Sequence, residues 1–301
     1  MKTLIEALRA IARNDQILLD EPMSKHTTFR VGGPADAMFL PESPEQVVAA
    51  IEAARASGVP YMVVGNGSNL LVRDGGIRGL VIALGEGMAA IARTGCTLTA
   101  WAGASLARVS AYAQASGLSG LEFASGIPGT LGGGCAMNAG AYGGQLSDCL
   151  VDAEVYLNGA VRTLTRDEMQ MGYRTTLPLR EGGVVLSARF GLTPDDPEQI
   201  AARMRELNAR RREKQPLNHP SAGSTFKRPE GYFAGALIEQ AGLKGRAVRG
   251  ARVSEKHAGF IVKPGEASAA DIIELIHIVQ DEVKARFGVT LEPEVRIIGE
   301  D

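Results

Sequence analysis

The sequence predicts an α+β chain built as two small mixed lobes, about residues 1–84 and 85–195, followed by a compact C-terminal lobe over 196–301. Three observations predict this. Strand-length apolar runs are interspersed with capped segments of helical period, and no internal repeat organises them. Two glycine-rich segments, one from Gly65 and one from Ser125, interrupt the first part of the chain where ordinary connections would be short. Pro194-Asp195-Asp196-Pro197, two prolines around two helix-capping acids, marks the best boundary, so the expected domains are 1–195 and 196–301.

In chain order, Leu4, Ile5, Leu8 and Ile11 share one helical face, which reads as an amphipathic helix and not as a signal peptide. A short strand is expected over 36–40. Ser43 caps the next helix with Pro44 at its first position, and Gly58 closes it. Tyr61 to Val64 reads as a buried strand, and L-L-V from Leu70 as another before the turn R-D-G-G. Strands follow over 80–84, 89–93 and 97–102, then a helix capped by Ser105 and ended by Gly117. Beyond the glycine-rich segment, 149–157 and 161–164 form a hairpin about Asn158-Gly159. Thr165 with Glu168 makes a capping box for one or two helical turns, and 184–190 is strand. Past the boundary an arginine-rich helix runs to Pro216 and reads as a solvated face near a substrate cleft in preference to a nucleic-acid patch. A short helix over 235–241, a strand over 259–263 and a long helix follow. Ser268 and Asp271 start that helix, which turns Ile272, Ile273, Ile276, Val279, Val283 and Phe287 inward until Gly288 stops it. A last strand comes after Leu291-Glu292-Pro293-Glu294-Val295.

Composition narrows the function classes. The chain has 301 residues, 45% apolar and 22% charged, with a formal charge of −2, which points to no nucleic-acid or membrane partner. Cys96, Cys135 and Cys149 have no C-x-x-C spacing and His26, His219, His257 and His277 are scattered, so no metal site or disulfide scaffold is expected. A reducing cytoplasm is the expected location, and no obligate protein partner is evident.

The stretch S-G-I-P-G-T-L-G-G-G-C-A-M-N-A-G-A-Y-G-G, Ser125 to Gly144, reads as neither core strand nor helix. A flexible loop is the bland alternative, but Pro128 stiffens it, and Met137-Asn138-Ala139 and Tyr142 read as interior or contact residues and not as linker filler. Bare backbone can lie against a flat, polar ligand, so the stretch is taken as a cofactor cradle. The other segment, Val64-Gly65-Asn66-Gly67-Ser68-Asn69, lacks the third glycine and the helix of a dinucleotide fingerprint, since Leu70 stands where that glycine belongs. Its successive amides can still form an anion nest for a pyrophosphate.

For chemistry, Arg174 suits a carboxylate clamp, Ser224 a proton donor beside Lys227, and Glu294 a carboxyl whose state burial would set. Singly, each is as simply a surface ion pair, a turn residue or a strand-edge charge. Hydrolysis at Ser224 finds no G-x-S-x-G.

The ordered motifs decide more. H-T-T-F-R-V-G-G-P-A from His26, V-G-N-G-S-N-L-L-V from Val64 and the stretch from Gly126 are followed by G-Y-R from Gly172. S-A-G-S-T-F-K from Ser221, L-I-E-Q-A-G-L-K-G from Leu237 and L-E-P-E-V from Leu291 complete the set. Together they resemble the UDP-N-acetylenolpyruvoylglucosamine reductase (MurB) family, in its shorter subtype without an inserted tyrosine loop. The resemblance implies a PCMH/vanillyl-alcohol-oxidase-type FAD-binding domain followed by a smaller α+β substrate domain. It implies non-covalent FAD, NADPH as co-substrate and a UDP-sugar enolpyruvyl ether as substrate, reduced to UDP-N-acetylmuramate in peptidoglycan precursor synthesis.

Family roles then fall on Arg174, Ser224 and Glu294 as catalytic residues, and on Tyr173 and Lys227 as substrate contacts. Val64, Gly65, Asn66, Gly67, Ser68 and Asn69 would receive the cofactor's pyrophosphate. Ser125, Gly126, Pro128, Gly129, Thr130, Gly132 and Gly133 would line the flavin. Two rivals stay open: a flavin oxidase of the same fold, and an FAD-holding scaffold without catalysis.

Overall fold

A computed structural model describes residues 1–301. The chain packs as two compact units and passes between them several times. One comprises Met1–Leu18, Met38–Asn66 and Leu80–Arg211, the other Leu19–Ala37, Gly67–Gly79 and Arg212–Asp301. These units do not follow the cut expected at 195/196. The arginine-rich helix belongs, as far as Arg211, with the first unit, because Arg203 pairs with both Glu122 and Asp195 and Asn208 donates to Ser125.

The first unit opens with helix α1, Lys2–Ile11, which buries Leu4, Ile5 and Leu8. Helix α2, Pro44–Ala56, is capped as expected: the Ser43 side chain accepts from the Gln46 N–H. Strand Tyr61–Val64 pairs in parallel with Leu80–Ala83, though only Val64 in it is fully buried. It ends a four-stranded sheet in the order Ile17–Pro22, Pro34–Phe39, Ile77–Ala83, Tyr61–Val64. A five-stranded antiparallel sheet follows in the order Ala160–Thr165, Leu150–Leu157, Val184–Gly191, Thr97–Trp101, Ile91–Thr94. Helix α3, Leu106–Ala115, takes its cap from Ser105.

The glycine-rich stretch departs from expectation, since Leu131–Ala136 is a helix, α4. The helix lies against strand Val184–Gly191. Its glycines let it come close to its neighbours: a β-carbon on Gly132 would stand 2.8 Å from the β-carbon of Ala102, and one on Gly134 3.0 Å from the side chain of Leu106. Packing therefore outweighs glycine's low helix propensity, a cost of about 1 kcal/mol per residue. The Thr165–Glu168 box also differs. Both of its hydrogen bonds form, yet they close a turn and not a helix. Helix α5, Leu177–Glu181, and helix α6, Pro197–Lys214, are the remaining α-helices of this part of the chain.

The second unit is built on helix α7, Ala234–Gln240, and helix α8, Ala269–Phe287, with a three-stranded sheet in the order Ala247–Val248, Ala251–Val253, Ile261–Val262. That last strand is shorter than the expected 259–263. Ile272, Ile276, Val279 and Val283 of α8 are fully buried with Phe29, Leu71 and Leu291, whereas Phe287, expected inward, is exposed in the last position of its helix. Strand Arg296–Ile298 pairs in parallel with Leu70–Val72.

The start of α8 has a cap beyond the expected Ser268–Asp271 box. Asp74 Oδ1 and Oδ2 accept from the Ala269 and Ala270 N–H groups, each at 2.9 Å. These are otherwise orphan donors, and a carboxylate at a helix N-terminus is also favoured by the dipole. Asp74→Ala should destabilise the protein by about 1–2 kcal/mol, with Asp74→Asn losing less, as measured by chemical unfolding. Equal midpoints for Asp74→Ala and the parent would show that solvent or Ser268 replaces the cap.

Candidate active site

In the first unit the two glycine segments meet. Strand Tyr61–Val64 ends at Gly65, whose missing side chain makes room for Thr130: a β-carbon there would stand 2.1 Å from Thr130 Oγ1. Thr130 is held in turn by a bridge to Ser105, and the next two amides are fixed. Leu131 N–H donates to the Ala104 carbonyl and Gly132 N–H to that of Ala102. Asn66, Pro128 and Gly133 are the exposed members of this group, and a β-carbon on Gly133 would meet only Thr130 Oγ1, at 3.7 Å. Bare backbone at the surface, backed by rigid packing, fits a flat polar group such as FAD.

Helix α6 closes on the same segment. Asn208 Nδ2 donates to Ser125 Oγ at 3.1 Å, and a β-carbon on Gly126 would stand 2.5 Å from Asn208 Oδ1 and 2.9 Å from Arg211 Nη1. Burial pulls the Arg211 pKa below the ordinary arginine value. The α6 arginines are thus not uniformly a solvated face: Asn208 and Arg211, three apart, turn toward Ser125–Gly126. Their i, i+3 spacing within a polar helix was the one sequence sign of this. Burial alone would raise the Glu122 carboxyl, but the Gly120 amide, Ser119 and Arg203 hold it below the ordinary carboxylate range. Cys135 is fully buried in α4, where burial pushes its thiol well up, and burial with Asp148 and Glu122 nearby pushes Cys149 to about 12. Both thiols stay protonated and unreactive at neutral pH.

Arg174 sits in a four-residue turn, Gly172–Thr175, closed by reciprocal backbone hydrogen bonds. Its φ is 56°, and its guanidinium carbon lies 5.5 Å from the ring centre of exposed Tyr173. A non-glycine residue held in the left-handed region is uncommon and is found where surrounding structure over-determines it.

In the second unit, residues 225–227 run antiparallel to 292–294. Glu294 N–H donates to the Thr225 carbonyl at 2.8 Å, Phe226 bridges Pro293, and Lys227 N–H donates to the Glu292 carbonyl at 2.9 Å. Buried Thr225 anchors the pair, its hydroxyl accepting from the Ile261 N–H at 3.0 Å. Ser224 immediately precedes the residue that Glu294 faces. Asn69 joins Glu294, its Nδ2 donating to the backbone carbonyl at 3.0 Å. Gly67 turns the chain just before with φ 59°, and a β-carbon on it would stand 2.1 Å from the His26 carbonyl oxygen. The Lys227 ammonium lies 3.1 Å from Glu292, so its charge is directed there. The structure thus brings Gly65 to Thr130, and Asn69 to Glu294.

The sequence can be set beside known proteins. The UDP-N-acetylenolpyruvoylglucosamine reductase C-terminal domain profile matches residues 215–298, and an FAD binding domain profile matches 35–165. A UDP-N-acetylenolpyruvoylglucosamine reductase of Agathobacter rectalis is 55% identical over 297 residues, covering 94% of each chain. One of Alkaliphilus oremlandii is 48% identical, covering 98% of each. Among solved structures, the UDP-N-acetylenolpyruvylglucosamine reductase of Thermus caldophilus superposes with a TM-score of 0.79 at 38% identity, over 93% of this chain and 97% of that one. An alkyldihydroxyacetonephosphate synthase, at 17% identity and TM-score 0.50 over 64% of this chain and 40% of its own, shares the fold alone.

Proposed function

Because this chain belongs to the UDP-N-acetylenolpyruvoylglucosamine reductase family, we propose that Arg174, Ser224 and Glu294 carry out on it the reduction of UDP-N-acetylenolpyruvoylglucosamine to UDP-N-acetylmuramate for peptidoglycan synthesis. It is an FAD- and NADPH-dependent oxidoreductase of α+β fold, a PCMH-type FAD-binding domain with a further C-terminal domain. We assign FAD binding to 1–195 and substrate binding to 196–301; the spans of the two family profiles support that division. No helix is long and apolar enough to cross a membrane, and we assign the protein to the cytoplasm.

The backbone of Val64–Asn69 and of Ser125–Gly133 would hold the cofactor, the first at the pyrophosphate and the second along the ring. Bound FAD would supply two-electron carriage between NADPH and the enolpyruvyl group. Hydride at C3 leaves the electron pair of the former double bond at C2, spread into the adjacent carboxylate as an enolate. Arg174 stabilises that enolate through its fixed positive charge, while Glu294, when protonated, donates a hydrogen bond to it. Such preorganised groups are typically worth about 3–4 kcal/mol each. Ser224 delivers the proton to C2 and completes the lactyl ether. Tyr173 and Lys227 contact the substrate.

The bond from the Glu294 N–H to the Thr225 carbonyl supports the residue roles most directly, since it ties the backbone of the carboxyl residue to that of the residue after Ser224. The test is an absorption spectrum of the purified protein, then rapid mixing with NADPH and the UDP-sugar. A flavin band should bleach with NADPH and return when substrate is added anaerobically. A colourless protein that takes up no flavin, or a band that stays bleached with substrate, would overturn the reading.

A further inference from the structure

We infer that Asn138, in the last turn after α4, is a positioning residue that holds Arg174 in its working conformation; this rests on the role proposed for Arg174 above. Asn138 is 4% exposed and itself has φ 43°. Asparagine tolerates that backbone region better than most residues.

Every polar atom of its amide is engaged in a way that fixes its orientation. Oδ1 accepts from the Ser147 N–H at 3.0 Å, while Nδ2 donates to Gln145 Oε1 at 3.2 Å and to the Gly172 carbonyl at 3.3 Å. Flipping the amide would set acceptor against acceptor at Gly172 and donor against donor at Ser147. Gly172 is the first residue of the turn that carries Tyr173 and Arg174. Its carbonyl also takes the Thr175 N–H, at a long 3.4 Å, so the Asn138 bond supplements the weaker of the two closures.

The other end of the turn is tied to the same place. Thr176, fully buried, donates through Oγ1 to the Ala136 carbonyl at 2.7 Å. Both ends of the arginine turn therefore hang from residues 136–138, the terminus of a helix whose glycines press it against Ala102 and Leu106. A residue in the left-handed region returns to common backbone geometry when its restraints loosen. Removing the Asn138 donor should let Arg174 do so, dispersing the position of its guanidinium without removing its charge.

Asn138→Asp isolates the donor: it keeps the size, the acceptor for Ser147 and the tolerance of positive φ, but turns a carboxylate oxygen toward the Gly172 carbonyl. Asn138→Gly removes the whole amide and keeps the backbone freedom, which serves if the carboxylate impairs folding. For both, bleaching by NADPH should run at the parent rate. Return of the flavin band with UDP-N-acetylenolpyruvoylglucosamine should slow about tenfold, with the substrate's Kd, read from its perturbation of the oxidised flavin spectrum, weakened to a similar extent. That is the scale of one buried hydrogen bond. In an Arg174→Ala background, either substitution should add no further slowing, because its effect passes through that arginine.

Equal slowing of both half-reactions, or additive slowing in the Arg174→Ala background, would overturn the positioning role and leave Asn138 as a general packing residue. Parent behaviour of both Asn138 variants while Arg174→Ala is slow would also overturn it, with the proposed function intact. Parent behaviour of Arg174→Ala itself would instead remove the reading on which the inference rests.

Discussion

The Ser224→Ala variant is expected to bleach with NADPH at the parent rate and to regain its flavin band at least roughly a hundredfold more slowly when UDP-N-acetylenolpyruvoylglucosamine is added. The first half of the cycle makes no demand on a proton at C2, so loss of the hydroxyl leaves it alone. The second half ends on that proton, and a positioned general acid contributes about 10²–10⁴-fold. The surroundings favour a specific effect over a folding defect. Ser224 is half-buried, follows Gly223 with its φ of 77°, and precedes Thr225, whose buried hydroxyl and backbone hold the strand pair without it. Anaerobic stopped-flow absorbance separates the two half-reactions. Equal slowing of both would place Ser224 in the general architecture of the site, and an unslowed second half would remove it from proton transfer.

Gly65→Ala should cost the protein most of its flavin. The new β-carbon would meet Thr130 Oγ1 at 2.1 Å and Thr130 Cβ at 3.1 Å, and Thr130 cannot retreat freely because its neighbours are bonded to Ala102 and Ala104. Overpacking of this kind typically costs about 1–3 kcal/mol. Borne by the flavin-binding geometry, that weakens retention by roughly 5- to 150-fold. The measurement is flavin content after gel filtration, with thermal unfolding of the flavin-free protein to separate lost binding from lost folding. Thr130→Ala added to Gly65→Ala should recover part of the flavin, since it removes the nearest atom of the collision. Full flavin content in Gly65→Ala would show that the Gly65–Thr130 contact has no part in holding the cofactor.

Much of this was legible in order along the chain. Ser43, Ser105 and Ser268 cap the helices their spacing announces, and Gly288 ends α8 in the left-handed conformation. These signals are local: a side chain and an amide three residues apart decide them. The Thr165–Glu168 box was equally local and still failed as a helix, because its hydrogen bonds suit a turn as well and nothing apolar continues the helical period beyond Met169 and Met171. In the glycine-rich stretch local propensity misleads outright. Leu131–Ala136 is helical because a helix without β-carbons can approach Ala102 and Leu106, and that approach exists only once the sheet has formed.

By itself, then, the order of residues determined the capped helices, the hairpin at Asn158-Gly159, the two bare-backbone turns and, through an ordered set of motifs, the family. Tertiary structure alone decided which residues share a neighbourhood: Gly65 with Thr130, Ser125 with Asn208, Asn69 with Glu294, and Asn138 with the turn of Arg174. It also decided that α6 belongs, up to Arg211, with residues far earlier in the chain. The physical reason is range. Caps and turns are settled over three or four residues, whereas close backbone approach and side-chain tethers across 34 or 225 positions leave no periodic trace in the segments they join.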